Sequence, residues 1–76
     1  MAKYIATFQD GTKVTRNSAR SYSAAWRITF DQGKGPQTKA GFSFDRYQAA
    51  KAVAGVASRY PKSLTGKELA LSVETA

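Results

Sequence analysis

Apolar and polar residues alternate along most of this chain, and the breaks in that alternation divide it into elements. Lys3-Tyr4-Ile5-Ala6-Thr7-Phe8 is a β-prone run, followed by Gln9-Asp10-Gly11 and a second run from Thr12 to Arg16. Asp-Gly between two such runs is a strong short hairpin signal, because glycine accepts the positive φ that a tight turn needs. Asn17 to Ser23 is polar with weak turn character and reads as a connection, partly extended, without a helix. From Ala24 to Phe30 the period of two is clean, with Trp26, Ile28 and Phe30 on one face and Ala25, Arg27 and Thr29 on the other. Asp31 to Pro36 is a loop by composition. Gln37 to Phe44 then resumes the alternation, setting Ala40, Phe42 and Phe44 against Lys39, Gly41 and Ser43, and completes a second hairpin.

After Phe44 the period changes. Ala49, Ala52, Val53, Val56 and Tyr60 recur at helical spacing, which predicts a helix from Arg46 to Tyr60 with Ser43 or Asp45 as its N-cap and Pro61 as its terminator. The inward side chains are small, so the helix can sit close to a sheet carrying Trp26, Phe30, Phe42 and Phe44. Lys62 to Lys67 reads as a connection, and Glu68 to Glu74 as a final edge strand with Leu69, Leu71 and Val73 opposite Ala70 and Ser72. The order β-β-β-β-α-β predicts an α+β fold: one antiparallel sheet of four to five strands, one helix packed on one face, and Trp26 beneath that helix. A chain of 76 residues has room for one such domain, spanning residues 1–76, with a modest core.

Composition narrows the chemistry. The hydrophobic fraction of 42% is enough to drive collapse and argues against disorder. With no Cys and no His, disulfides, Cys/His zinc sites, thiol chemistry and imidazole acid–base chemistry are unavailable. No Ser-x-x-Lys element heads a helix, Gly66-Lys67 lacks the upstream glycine of a phosphate-binding loop, and four of the five acids fall in turns or on the final strand. The expectation is a protein that is not an enzyme and that uses no cofactor and no metal. No stretch approaches the apolar core of a signal peptide or a membrane span, so the expected location is cytoplasmic, with no membrane partner.

Charge points to a partner. Twelve Lys and Arg against five Asp and Glu give +7, and before residue 68 the only acids are Asp10, Asp31 and Asp45. Such an excess favours association with polyanions, nucleic acid first and acidic proteins after it. If Val14, Trp26, Ile28, Phe30, Ala40 and Phe42 face the helix, the opposite sheet face carries Lys13, Thr15, Arg27, Thr29, Lys39, Gly41 and Ser43, with Arg16 and Arg20 beside it. A twisted sheet of this kind can dock in the major groove of double-stranded DNA, with Arg reading guanine, Lys and Thr on phosphates, and glycine allowing close backbone approach. Lys, Arg and Thr also populate ordinary solvated strand faces. Two further partners fit the pattern: an acidic surface of a host protein, met by a small interaction module or inhibitor, and a second copy joined through the final strand as a homodimer.

Trp26-Arg27-Ile28-Thr29-Phe30, a Gly-containing loop, Lys39-Ala40-Gly41-Phe42-Ser43-Phe44 and the run Tyr47 to Ala54 together resemble the three-stranded-sheet-plus-helix DNA-binding domains. These include the ethylene-response-factor type of plants and the arm-site-binding domains of phage integrases. The resemblance covers about residues 23–60 and rests on a Trp-bearing strand, a strand ending in Gly-x-Phe and an Ala-rich helix packed behind. It implies DNA binding by the sheet. Three features depart from the pattern: Gly-x-Phe is extended to Gly41-Phe42-Ser43-Phe44, the first-strand arginines have only Arg16 and Arg20 as counterparts, and the final strand has no place. The N-terminal half is similar in general look to small bacteriophage proteins, which implies a host component as target and the host cytoplasm as location.

Overall fold

The computed structural model describes residues 1–76. Six strands and one helix follow one another as β1 (Ala2–Thr7), β2 (Lys13–Ser18), β3 (Ala24–Asp31), β4 (Pro36–Ser43), α1 (Arg46–Ala57), β5 (Leu64–Leu69) and β6 (Ser72–Thr75). The fold is α+β and every strand pairing is antiparallel. Both hairpins form as the sequence predicts. The first closes through Gly11, at φ +86°, with Phe8 and Thr12 bonded across the turn at 3.0 Å.

The strands do not form the single sheet of four to five that the alternation suggests. They form two three-stranded sheets, ordered β2-β1-β6 and β4-β3-β5. The cause lies in the last segment of the chain. Leu64–Lys67, expected as a connection, is the body of β5 and pairs with β3, while the run from Glu68 to Glu74 breaks at Ala70-Leu71 and continues as β6 against β1. The Ala70 amide donates to the Ala25 carbonyl and the Leu71 amide to the Thr7 carbonyl, each at 2.8 Å. Successive amides of an extended chain point to opposite sides, so one short segment satisfies one sheet and then the other.

Two cores result. Beneath the helix, Ile28 and Phe30 pack with Val53 and Ala57, and Trp26, Val56, Tyr60, Leu64 and Leu69 close around them. Between the sheets, Ala6, Phe8, Ala25 and Ala70 pack with Val14, Phe42 and Val73. The inward face of the helix is small, as expected, and Trp26 belongs to the helix-side core. Phe42, Ala40 and Val14 do not. Trp26 stands opposite Gly41 and Ala25 opposite Phe42, and directly opposed residues share a face, so Phe42 and Ala40 point away from the helix. Each strand alternates as read, but the phase between β3 and β4 is shifted by one residue, which exchanges every face assignment on β4. Phe44 lies beyond β4 and is 72% exposed instead of buried under the helix.

Helix α1 begins where the sequence places it. Asp45 is the N-cap, and its carboxylate accepts the Gln48 amide at 2.8 Å. It ends at Ala57, three residues before Tyr60. Pro61 keeps the residue before it out of helical geometry, the Ser58 hydroxyl donates to the Gly55 carbonyl at 2.7 Å, and the Tyr60 ring stacks on Phe30 with centroids 4.2 Å apart.

Candidate functional site

The basic sheet face expected from Lys13, Arg27 and Lys39 is not assembled. Lys39 stands opposite Ile28, so it lies on the helix side of its sheet, with Nζ 6.0 Å from the centre of the Tyr60 ring. Arg27, one position from Ile28, lies on the inter-sheet side. Lys13 belongs to the other sheet, opposite Thr7, on the exposed outer face that also carries Thr15 and Asn17. Gly41, expected to admit a DNA backbone, is instead buried against the Trp26 indole: a Cβ there would come within 2.5 Å of the ring.

Arg27 is occupied internally. Its Nη2 lies 3.2 Å from Asp10 Oδ2 and also bonds Glu68 Oε1, its Nη1 donates to the Thr12 hydroxyl, and its Cζ sits 4.4 Å from the centre of the Phe8 ring. Only 15% of the side chain is exposed. Glu68 is delivered by β5, directly across from Arg27, and Asp10 by the β1–β2 turn. Asp10 is held below the ordinary carboxylate value, first by the Thr12 hydroxyl at 2.6 Å, then by the Thr12 amide at 3.1 Å, and then by the Arg27 guanidinium. These two contacts are the only ion pairs of the molecule, so every other Lys and Arg presents uncompensated charge.

Arg16 and Arg20, the remaining candidates, do come together. They line a cleft of about 710 Å³ where β2, the β2–β3 connection, the end of β4 and the first half of α1 meet. Arg16 is opposite the buried Tyr4 and therefore on the inner face of β2, with its Cζ 5.8 Å from the centre of the Phe42 ring. Arg20 enters from the connection, its amide bonded to the Ser18 hydroxyl at 3.0 Å. Tyr22 lies between them and the core, edge-on to Tyr4 at 5.3 Å and tilted against Phe42 at 5.7 Å. Phe44 forms the lip, and Gln48 and Ala52 of the helix the far wall.

The connection is fastened to that lip. The Ser23 amide donates to the Ser43 carbonyl at 3.2 Å and the Ser23 hydroxyl to the Phe44 carbonyl. The Tyr22 phenol is held below the ordinary tyrosine value, first by the Ser18 hydroxyl, then by the Arg16 and Arg20 guanidinium groups, against the opposing effect of desolvation. No carboxylate lines the cleft. Its chemistry is two cationic forks, hydroxyls and exposed ring surface, which suits a planar or anionic ligand. Sequence reasoning named Arg16 and Arg20 but missed Tyr22 and Phe44. The available signals were a single aromatic inside a polar connection and an aromatic immediately before the helix cap.

No helix is long and apolar enough to cross a membrane. Comparison with protein-family models, with curated proteins and with solved structures returns no match for this chain.

Proposed function

We propose that this chain is a non-enzymatic nucleic-acid-binding module that contacts phosphates through Arg16 and Arg20 at the cleft. One observation carries the reading: two guanidinium groups free of any carboxylate converge beside exposed aromatic surface. Planar guanidinium forks match phosphate oxygens in pairs and stack on rings, which is why arginine dominates nucleic-acid contacts. The remaining unpaired Lys and Arg, Lys13 and Lys39 among them, are spread around the body and act as a long-range field that raises the rate of encounter with a polyanion. Cytoplasmic placement, in a host cell if the chain is phage-encoded, accompanies this reading.

The test is a titration of labelled nucleic acid across ionic strength. Each phosphate contact contributes a log–log slope of about −0.9 on a duplex and about −0.7 on a single strand. Arg16→Ala and Arg20→Ala should each reduce the slope by about one such step while the protein stays folded. A folded protein that binds no nucleic acid at low ionic strength would remove the reading and turn attention to an acidic protein surface or a second copy of the chain.

A further inference from the structure

Resting on that reading, we infer that the ligand is a single strand, held with a base stacked on Phe44 while its phosphates lie on Arg16 and Arg20. The inference starts from an oddity of packing. Phe44 is 72% exposed and Tyr47, three residues on, is 68% exposed, in a protein whose other Phe side chains all join a core. Burying such rings is favourable, so leaving Phe44 in the wall of the cleft, with Tyr47 exposed nearby in sequence, forgoes stabilisation that the fold obtains elsewhere.

Phe44 is also rigidly presented. Its own carbonyl accepts the Ser23 hydroxyl, the preceding carbonyl accepts the Ser23 amide at 3.2 Å, and the next residue, Asp45, caps the helix. The backbone is therefore fixed on both sides, so little backbone ordering is left to be paid when the exposed ring takes a partner. Asp45, the acid nearest in sequence, is turned to the Gln48 amide and contributes nothing to the cleft lining. Tyr47 stands on the first turn of α1, with Lys51 Nζ 5.6 Å from its ring centre, a second ring with a cation beside it.

Rings next to guanidinium groups select among nucleic acids. A duplex offers phosphates and base edges but hides its base faces in the stack, whereas a single strand offers phosphates and free base faces together. A flat or convex basic surface would suit a duplex; a concave site of about 710 Å³ walled by rings suits unstacked nucleotides.

Three probes test this by fluorescence anisotropy with the full chain: oligothymidylate of about twelve nucleotides, an abasic strand of the same length, and a duplex. The wild-type protein should favour oligothymidylate over both. Phe44→Ala should weaken oligothymidylate about 5- to 150-fold and leave the abasic strand unchanged, because only base stacking is removed. Arg16→Ala should weaken both strands and flatten their salt dependence. Equal loss on both strands with Phe44→Ala, or a duplex bound more tightly than oligothymidylate, would overturn the single-strand inference while leaving a nucleic-acid function in place. No binding to any of the three probes would end both. Phe44 is exposed, and an unchanged amide NMR spectrum beyond its neighbours verifies that the variant remains folded.

Discussion

Gly41→Ala is a one-methyl perturbation aimed at the close approach of the β4 backbone to the Trp26 indole. Gly41 is buried, its φ is ordinary, and it lies opposite Trp26, whose indole occupies the space that a side chain would need. A methyl group built there meets Cζ2 at 2.5 Å, Cε2 at 2.6 Å and Nε1 at 2.8 Å. Comfortable carbon contacts are at about 3.5–4.0 Å, so the ring must move by about 1 Å. It cannot do so freely, because it is packed with the cluster under α1. Overpacking of this kind costs about 1–3 kcal/mol, and the lower entropy of the unfolded alanine chain returns about 0.4–1 kcal/mol. A net loss of about 1–2 kcal/mol follows, or a fall in Tm of about 4–16 °C for a chain of this length. Urea unfolding followed by fluorescence reads both stability and position, since Trp26 is the only tryptophan. Gly55→Ala is the control: that position is in the last turn of α1, exposed and open, so the same change should stabilise by up to about 0.5–1 kcal/mol. A Gly41→Ala protein as stable as wild type, with unaltered Trp26 emission, would refute the packing described here.

Two further outcomes follow from the Arg27 cluster. Arg27→Met leaves Asp10 and Glu68 without a cation and Phe8 without its guanidinium cap, and should cost about 1–3 kcal/mol, between the values for exposed and buried pairs, measured by chemical unfolding. Asp10, with its folded pKa below 3.8, stabilises the native state above the unfolded value, and that contribution disappears as pH falls through the lower folded value. Carboxyl NMR titration should therefore find Asp10 midpoint-shifted downward in the wild type and displaced upward in Thr12→Val.

The local elements were legible in the sequence because their causes are local. Asp10-Gly11, the clean alternation of Ala24–Phe30 and the cap-to-proline span around α1 each carry their own signal. What depends on two segments meeting was not legible. The phase of β4 against β3 is decided by the loop from Gln32 to Gly35, in which Gly33 and Gly35 take positive φ, and a one-residue change there moves Lys39 from Arg27's face to the helix side. Arg27 looked free because its carboxylates come from 17 and 41 positions away. The cleft drew only its arginines from sequence reasoning, since Phe44 and Tyr22 acquire their places when the Ala19–Ser23 connection is bonded across to the end of β4.

The segment that serves both sheets also sets the order of assembly. β1 and β3 are the middle strands of their sheets, yet without Leu64–Thr75 each keeps one edge unpaired: β1 belongs to a bare two-stranded ribbon, which is marginal in water, and β3 to a hairpin covered only by α1. The pairing of Tyr4 with Thr75 spans almost the whole chain, so its closure entropy falls on the final step. Before that segment docks, both sheets are incomplete and leave a middle strand with an open edge. Contacts so distant in sequence place folding toward the slower, millisecond-to-second range of small domains.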